Sequence, residues 1–501
     1  MRKITAMILV MVLICGLAAA ENVQAPEYIM EGYDGNDTGR SWDNNLFFTR
    51  MRERTGIRFL FRQASSRDEW KARVAEMTEG TNLPDVLFKA ELSPMETRKL
   101  YEAGMIIDLR ELIDAYAPDL KAKIDELRAE HPDWYRGMTM PDGAIAALPA
   151  FNELQSNDYM WINTQWLGTL GLKKPTTADE LTEVLRAFKT RDPNRNGRED
   201  EIPLTFMSMW ELRFLGHAFG IIDNDYYVSA EDGTVTSSLT SDRNRAFLGW
   251  LHTLWEEKLL DHNGFSQADS MRKIEDEKKT VPYGMMMGDS PLSVVPDSAA
   301  GSYAILEPLE YNGKKIYRDL TGDLIRGTFA ITRECRDPER IIAWVNYLYT
   351  TEGSVLAQCG AEGEEYRTDG QGRWDWNLDA MTTTNTVVTR NTIGTGSAFP
   401  GIAAEDFRLR YGEDTIRHMY EMMADAKQYS RLPYPYVMLS DEDAAALARI
   451  QAGVMGYAEQ AMVWFVTGET ELNDSTWQTF CETVRGKGLD EAVAIWQKYI
   501  E

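Results

Sequence analysis

Apolar residues with two different spacings alternate along the N-terminal part of the chain. Apolar residues at every second position, such as Phe59 and Phe61, are typical of a strand with one buried face. Apolar residues three or four positions apart, such as Trp70, Val74 and Met77, indicate a helix with one buried side. Strands that alternate with helices predict an α/β fold, in which helices cover a parallel or mixed sheet.

Three local motifs mark the starts of predicted helices. Ser66-x-x-Glu69 and Thr177-x-x-Glu180 read as capping boxes, and Ser93-Pro94-x-Glu96 adds a proline at the first helical position. The apolar run Ile202–Phe206 predicts a strand, and the Gly-rich, acidic segment Glu362–Trp376 predicts a loop or a hairpin. These signals extend the α/β pattern past the middle of the chain.

The segment between the helix after Thr177 and the strand at Ile202 carries oxygen-bearing side chains at alternate positions. A glycine, Gly197, permits a sharp turn, and Ca²⁺ takes about six to eight oxygen ligands in flexible geometry. The predicted calcium ligands are the side chains of Asp192, Asn194, Asn196, Asp200 and Glu201 and the backbone carbonyl of Arg198. The segment departs from an EF-hand loop, because Pro203 stands where a bidentate glutamate is expected. A solvated turn rich in Asp and Asn is the alternative.

Residues 1–20 have the pattern of a secretory signal peptide. A short basic start precedes the apolar run Ala6–Leu17, and Ala18–Ala20 supplies the small residues expected before a cleavage site. The run is shorter than the roughly twenty residues that a membrane-spanning helix needs. A lipidated Cys15 is the alternative, although Leu13–Ile14 places a bulky residue where a small one is expected. We therefore expect an extracytoplasmic protein that is secreted, periplasmic or retained at the outer face of the cytoplasmic membrane.

Composition narrows the classes of partner. The 53 basic and 79 acidic residues give a net charge of −26, which disfavours nucleic acid and anionic membranes. A length of 501 residues with 44% hydrophobic residues predicts more than one domain, each with a packed core. Outside the signal peptide, Cys335, Cys359 and Cys481 form an odd set, so we interpret them as buried free thiols; a single pair stays open.

Aromatic and charged residues that follow predicted strands are candidate ligand-binding residues. The chain has 14 tryptophans and 22 tyrosines, whose rings can stack on the apolar faces of sugars, while polar groups take up the hydroxyls. Ligands of open α/β sheets bind beyond the carboxyl ends of the strands. The candidates are Asp34, Trp42, Lys89, Trp210, Glu211, Tyr283, Asp289 and Phe399, with packing in the core as the alternative for each aromatic residue.

The sequence lacks the common catalytic motifs. It contains no H-E-x-x-H, no G-x-S-x-G and no C-x-x-C, and its five histidines show no metal-binding spacing. We therefore predict a protein without catalytic residues. A secreted carbohydrate-active enzyme, either a hydrolase or a lyase with structural calcium, is the alternative, because any two of the many acids could form a catalytic pair.

Several segments carry a resemblance to a known family. They resemble the extracellular solute-binding proteins of ABC importers, family 1, in the branch that contains LipO-type lipoproteins and alginate-binding proteins. The resemblance spans roughly residues 27–500, and the calcium segment is its most specific part. The segments are Tyr159–Asn163, Leu170–Thr177, Leu185–Pro203, Leu83–Val86, Asp142–Pro149, Asp337–Arg340 and Thr351–Ser354.

The resemblance implies a fold and a division of the chain. The implied fold is a type II periplasmic-binding-protein-like clamshell with two discontinuous lobes, each a mixed sheet flanked by helices. The chain would cross between the lobes near residues 145–160 and 325–345. The expected division is 21–150 plus 290–330 for the first lobe and 151–289 plus 331–501 for the second, which carries the calcium loop 192–203.

The resemblance also implies a function. A monomeric, non-catalytic protein would capture an oligosaccharide or a similar solute and deliver it to the transmembrane subunits of an ABC permease. Peptides remain open as ligands, and a membrane sensor remains open as the partner. The alginate-binding members carry calcium in the same loop, which implies a structural calcium ion held by the ligands named above.

Overall fold

The structure of the protein is a computed structural model, and it describes residues 27–500 except 36–38, 131, 154–156, 268, 277, 320–323, 380–381 and 404. The predicted signal peptide and Cys15 lie outside the described residues. The strands are β1 (Glu27–Tyr33), β2 (Arg58–Ala64), β3 (Val86–Phe88), β4 (Leu148–Asn152), β5 (Tyr159–Asn163), β6 (Val228–Glu231), β7 (Thr234–Ser237), β8 (Met285–Gly288), β9 (Tyr303–Ile305), β10 (Tyr317–Arg318), β11 (Leu324–Ile331), β12 (Tyr366–Thr368), β13 (Trp374–Trp376), β14 (Ile402–Ala403) and β15 (Ser430–Arg431).

Helices connect and cover these strands. They are α1 (Leu46–Thr55), α2 (Arg67–Thr78), α3 (Pro94–Glu102), α4 (Arg110–Tyr116), α5 (Pro118–Glu130), α6 (Pro132–Met138), α7 (Thr164–Leu170), α8 (Ala178–Thr190), α9 (Ser208–Leu212), α10 (Asp242–Glu256), α11 (Asp269–Arg272), α12 (Asp297–Ala300), α13 (Pro338–Asn346), α14 (Thr351–Cys359), α15 (Thr384–Asn391), α16 (Glu405–Arg408), α17 (Asp414–Ala426), α18 (Asp441–Thr467), α19 (Asp474–Gly486) and α20 (Leu489–Gln497).

The first lobe is built on a six-stranded mixed sheet with the order β14-β4-β11-β3-β1-β2. β1 pairs in parallel with β2 and β3, whereas β11 runs antiparallel to β3 and β4. Successive side chains of a strand point to opposite faces, so Val86 and Phe88 join one apolar cluster while Leu87 joins another. The sheet is therefore covered on both faces, as the alternating pattern predicts.

The second lobe is built on the antiparallel sheet β8-β5-β9 and on a larger apolar cluster. All five residues of β5 are buried, and the methionines of β8 fill the core beside them. The long helix α18 packs against α10 and α20 and completes this cluster. The architecture is the two-lobed α/β fold that the sequence predicts.

The two cores divide the chain differently from the predicted division. Buried residues of 324–402 pack with those of 28–151, and buried residues of 419–496 pack with those of 159–317. This grouping differs from the predicted assignment of 290–330 to the first lobe and of 331–501 to the second, because a core is formed by long-range contacts that local patterns do not specify. We propose the division that the cores indicate, with crossings at 152–159, 318–324 and 411–419.

The local signals in the sequence match the observed helix starts closely. Ser93 forms a complete capping box with Glu96. Ser66 and Thr177 also accept the amide of the third residue, but the carboxylates of Glu69 and Glu180 reach one residue further back, to the amides of Ser65 and Thr176, at 2.8 Å in both cases. The Glu362–Trp376 segment contains the hairpin β12–β13.

The predicted strand at Ile202–Phe206 is only partly formed. Ile202, Leu204 and Thr205 make isolated parallel bridges to Tyr283, Leu260 and Met286 instead of one continuous strand. Pro203 interrupts the ladder because proline has no amide hydrogen to donate. The segment still lies in the second lobe and leads into α9.

Two further expectations concern cysteines and membrane spans. Cys335, Cys359 and Cys481 are free thiols, and the last two are buried, so the possible pair does not form among them. None of the helices in the described ranges has both the length and the apolar character needed to cross a bilayer.

Candidate functional site

Polar side chains meet at the carboxyl-end edge of the first-lobe sheet. Asp34 follows β1 directly and Lys89 follows β3, and the two strands are parallel neighbours. Lys89 forms a buried ion pair with Asp34, and Arg40 Nη1 lies 2.6 Å from Asp34 Oδ2. Both predicted residues therefore lie together at the edge where ligands of α/β sheets bind.

The buried Asp34 cluster holds a loop in place at this edge. Lys89 Nζ donates to the carbonyls of Ile393 and Thr395 at 3.0 and 2.8 Å. Arg40 donates to the Thr395 carbonyl at 3.0 Å and to its hydroxyl at 2.7 Å. Burial lowers the pKa of Lys89 to about 8, although the charge of Asp34 acts in the opposite direction. The three side chains thus position the 393–397 loop. Arg40 and Lys89 both form ion pairs with Asp34, so their charges interact with a group of the protein itself.

Two of the predicted aromatic residues lie in the first-lobe core instead of at its edge. Trp42 is fully buried and packs edge-on against Phe88, with a centroid distance of 5.6 Å. Phe399 is buried in the same cluster. The expectation that these two rings contact ligand is corrected, because neither presents a face to solvent.

The facing edge of the second lobe carries an exposed tryptophan. Trp210, on α9, is 37% exposed and packs edge-on against Phe214 at a centroid distance of 5.1 Å. Its indole N–H points to Asp225 Oδ1 at 3.4 Å, and Arg318 Nη2 donates to the same oxygen at 3.0 Å. The neighbouring Tyr226 is also exposed and stacks on Trp496. An exposed indole therefore lies next to the Asp225 carboxylate, whose sequence neighbour is a second exposed aromatic residue.

Two other predicted residues, Glu211 and Tyr283, are buried and stabilise this edge of the second lobe. Glu211 is buried and forms an ion pair with Arg272, with 2.9 Å between Arg272 Nη1 and Glu211 Oε2. The Tyr283 hydroxyl donates to the carbonyl of Arg272 at 2.9 Å. Glu211 also accepts the amide of Met207 at 2.7 Å, which fixes the start of α9. Glu211 and Tyr283 thus hold α9 and α11 together, and the expectation of direct ligand contact is corrected for these buried side chains.

A pair of carboxylates lies near Arg272 and Arg318. Asp158 immediately precedes β5, Asp289 immediately follows β8, and the adjoining residues Tyr159 and Gly288 are register partners. Burial raises the pKa of Asp158 to about 6, and the charge of Asp289 adds to the effect. Asp289 is exposed, so the edge offers an open carboxylate next to a partly desolvated one.

A large crevice lies between the lobes, and none of the candidate residues described above is among its lining residues. It has a volume of about 1040 Å³, and residues of both lobes line it, including Trp134 and Met140 from the first and Asp232 and Tyr499 from the second. The segment 432–440 also lines it, and Tyr436 of that segment faces the crevice. The space between the lobes can accommodate a ligand of several sugar rings.

The predicted calcium loop is tightly turned in the second lobe. Asp192, Arg195 and Gly197 have positive φ values of 44°, 55° and 72°. Asp192 Oδ1 and Asn194 Oδ1 both accept the amide of Asn196 at 3.0 Å. The loop therefore gathers its oxygen-bearing side chains around a compact turn.

One atom of this loop bears on whether it fits a cation. Glu201 Oε1 is buried without a hydrogen-bond partner, and burial raises the pKa of Glu201, with the charges of Asp200 and Asp192 adding to the rise. A bound cation would stabilise a desolvated carboxylate on which the negative charges of Asp200 and Asp192 act. Across the described part of the chain, no three Asp, Glu, His or Cys side chains converge as a metal site, so the donor set must include amide and carbonyl oxygens.

Sequence reasoning missed several residues at the second-lobe edge. Asp158 had a detectable signal, because it directly precedes a fully buried strand in the sequence. Asp225, Tyr226 and Arg318 had none, because the first two lie in a loop and Arg318 comes from a two-residue strand nearly a hundred positions away. Only the folded chain brings them beside Trp210.

Comparisons with known proteins agree with this arrangement. A search against family models gives no match. FusA, a fructooligosaccharide ABC transporter substrate-binding protein of Streptococcus pneumoniae serotype 4, is 28% identical over 488 residues, covering 92% of this chain and 87% of FusA. Lipoprotein LipO of Bacillus subtilis is 30% identical over 119 residues, which cover 23% of either chain.

Solved structures give the same result at the level of the fold. FusA in complex with kestose superposes with a TM-score of 0.73 and 26% identity, covering 94% of this chain and 98% of that one. An EF-hand mutant of FusA in complex with fructo-nystose gives a TM-score of 0.72 at 25% identity over the same shares. An HMO-binding solute-binding protein of Bifidobacterium longum infantis gives 0.78 at 22% identity, over 94% of this chain and 98% of that one.

These likenesses extend over nearly the whole described chain and include both lobes. The relatives are substrate-binding proteins, which have no catalytic activity, so the enzyme alternative loses its support. The chain is therefore similar over most of its length to a solute-binding protein of an ABC importer, and over a shorter segment to LipO.

Proposed function

We propose that this protein captures an oligosaccharide outside the cytoplasm and delivers it to the transmembrane subunits of an ABC importer. The observation that carries the proposal is Trp210, an exposed indole at the second-lobe edge whose N–H points to Asp225. An aromatic ring held by its neighbours provides an apolar face for a sugar ring at low entropic cost. The adjacent carboxylate accepts hydrogen bonds from sugar hydroxyls.

The charges at the second-lobe edge favour hydroxyl groups over anionic ligands. Arg272 is paired with Glu211, and Arg318 is paired with Asp225, so neither guanidinium is a free partner for an acid. Asp158 and Asp289 add negative charge beside them. The carboxylate of a uronate would be repelled by these negative charges, whereas the hydroxyl groups of a neutral sugar can donate hydrogen bonds to the carboxylates.

We also propose that the loop 192–201 binds a structural calcium ion. The side chains of Asp192, Asn194, Asn196, Asp200 and Glu201 and the carbonyl of Arg198 would hold it. The desolvated, unbonded oxygen of Glu201 supports this proposal. A FusA variant described as an EF-hand mutant supports a calcium loop in that relative.

The cellular setting follows from the family. Substrate-binding proteins of ABC importers work outside the cytoplasmic membrane, either free or anchored as lipoproteins, and we propose the same for this protein as a monomer. The signal peptide pattern at residues 1–20 supports export. The permease would recognise the closed form of the two lobes.

Calorimetric titration with kestose, nystose and a panel of other neutral and acidic oligosaccharides tests the sugar proposal. We expect Trp210→Ala to weaken binding by about 2 kcal/mol, roughly thirtyfold, because truncating a central tryptophan removes a large contact. Trp464→Ala is the matched control, since Trp464 is 36% exposed but lies on α18. Equal affinity of the two variants would refute the placement of the site. If the wild-type protein binds none of the sugars, oligosaccharides are refuted as the ligand class.

Product analysis distinguishes capture from turnover. After long incubation with each sugar that binds, chromatography should return the sugar unchanged. Sustained release of shorter sugars or of unsaturated products would overturn the binding-protein proposal in favour of a hydrolase or a lyase.

A further inference from the structure

An irregular place in the first-lobe sheet directs one arginine toward the other lobe. The register between β11 and β4 shifts between Ile325 and Phe329. Gly327 has a φ of 69°, and a Cβ atom there would lie 2.1 Å from the carbonyl oxygen of Leu92. Only glycine fits this position, so the bulge is built into the strand. Bulges near binding sites re-aim neighbouring side chains, and here the neighbour is Arg326.

Two tyrosines lie near the guanidinium of Arg326. Its Cζ lies 4.7 Å from the centroid of the Tyr436 ring, and Nη1 lies 3.5 Å from the carbonyl oxygen of Gly137. Burial lowers the pKa of Arg326, and the nearby Tyr436 and Tyr226 act in the opposite direction. Tyr226 belongs to the second lobe, so Arg326 stands where the two lobes approach each other.

Arg326 differs from the other arginines of the cleft edges in having no acid beside it. Arg40, Arg272 and Arg318 are all paired with carboxylates. Among the residues that the structure describes, Arg326 has no ion-pair partner, and the long contact to Gly137 is its one hydrogen bond. A guanidinium carries five N–H donors, and a partly buried cation without a carboxylate is costly unless another group completes its hydrogen bonds.

Space for such a group lies in the crevice next to Arg326. Tyr436 lines the 1040 Å³ crevice between the lobes, and Arg326 lines a cavity of about 20 Å³ that shares Met140 and Met438 with the crevice. Tyr226, the sequence neighbour of Asp225, is 42% exposed. The guanidinium therefore lies beside Tyr436, at the junction where the small cavity adjoins the crevice.

We propose that Arg326, Tyr226 and Tyr436 form a sugar subsite at this junction. The planar guanidinium would donate two N–H groups to neighbouring hydroxyl oxygens of one ring, and the tyrosines would cover the apolar surfaces of that ring. The subsite rests on the proposed function, and it adds a specific first-lobe contact to a site otherwise carried by the second lobe. The ligand would then bridge the lobes and favour their closed state.

The test is calorimetric titration of kestose and nystose into the wild-type protein and into two variants. Arg326→Gln removes the charge, and Arg326→Lys keeps the charge but loses the planar fork. We expect Arg326→Gln to weaken binding about ten- to a hundredfold, as for other hydrogen bonds from charged groups, and Arg326→Lys to recover only part of the loss. The matched control is Arg333→Gln, because Arg333 is an exposed arginine just beyond β11.

The outcomes separate this inference from the proposed function. Wild-type binding with unchanged affinity in Arg326→Gln would overturn the subsite and leave the proposed function intact. Full affinity in Arg326→Lys would overturn the role of the planar fork. No binding of either sugar by the wild-type protein would refute fructooligosaccharides as the ligand before the subsite is reached. If Arg326→Gln fails to fold, as judged by circular dichroism, the lysine variant decides.

Discussion

At Asp34, one buried carboxylate balances two buried cations. Arg40 and Lys89 both contact it, and all three side chains are excluded from solvent. Removing one member of a buried ion network leaves the others uncompensated, which costs far more than the network itself contributes. The cluster is therefore a point of high sensitivity in the first lobe, although it touches no solvent.

We predict that Asp34→Ala destabilises the first lobe by about 3–5 kcal/mol, because it leaves two buried cations without their carboxylate. Urea unfolding followed by circular dichroism measures the change. Asp43→Ala is the control, since Asp43 is exposed in the same segment and its loss should change stability by about 0.5 kcal/mol or less. Similar losses in the two variants would contradict the importance of the buried cluster.

Asp158 makes stability depend on pH. Burial raises its pKa to about 6, so the folded state holds the proton more tightly than the unfolded chain does. The resulting contribution to stability is complete below the unfolded pKa of about 4 and is lost as the pH rises through about 6. We predict that Asp158→Asn raises the melting temperature at pH 7 and leaves it nearly unchanged at pH 4.

Melting curves between pH 4 and pH 8 measure this effect. Asp232→Asn serves as the control, because Asp232 is exposed on the turn between β6 and β7 and lies away from the Asp158–Asp289 pair. A gain for Asp158→Asn that is equal at every pH would contradict the assignment of the titration to Asp158.

At the scale of elements, the oxygen-bearing residues of the loop after α8 have two interpretations. A solvated turn and a calcium loop share the same side-chain acceptors, but only the second gains stability from a metal. Calcium at a hundred times its dissociation constant would add about 2.7 kcal/mol to the stability of the folded state. We predict that a chelator lowers the melting temperature of the wild-type protein and that Asp192→Ala removes this response.

Asp369→Ala is the matched control for the calcium prediction. Asp369 Oδ1 accepts the amides of Gln371 and Arg373 at 2.8 and 2.9 Å, so it caps a turn much as Asp192 does. Both variants lose turn contacts, but Asp369→Ala should keep its response to the chelator. Retention of that response in Asp192→Ala would reject the calcium ligands proposed for this loop.

At the scale of the whole molecule, function depends on the relative position of the two lobes. In the proposed division the chain passes between the two cores three times. The segment 432–440 also contacts both cores: the Leu439 carbonyl accepts from Arg98 at 3.0 Å, and the Tyr434 hydroxyl donates to the Trp496 carbonyl at 2.6 Å. A ligand shifts the balance toward closure only as far as it binds the closed state better.

We predict that a bound oligosaccharide reduces the radius of gyration measured by small-angle X-ray scattering, because closure brings the lobes together. Trp210→Ala at the same sugar concentration is the control and should keep the ligand-free value. A sugar that binds by calorimetry without any change in scattering would contradict closure as the consequence of binding.

Part of the structure of this protein can be predicted from the sequence because the signals for it are local. Ser93 and Glu96 lie three residues apart and form their capping box within one turn, and the buried strand at Tyr159 follows from its unbroken apolar run. The alternation of such elements predicts the α/β lobes, and the spacing of oxygen-bearing residues predicts the loop after α8. Interactions within a few residues depend only on the neighbouring sequence, so they can be predicted without knowledge of the fold.

The binding edges were decided by tertiary structure. Asp34, Trp42 and Lys89 were all predicted to contact ligand, yet the fold buries them, and Lys89 bonds to Thr395, 306 residues away. The pairing of Glu211 with Arg272 and the isolation of Arg326 depend in the same way on which segments meet in space. The sequence determined the elements and the resemblance to solute-binding proteins. The fold decided which charges are neutralised inside the protein and which remain for a ligand, because that choice depends on burial and on partners distant in the chain.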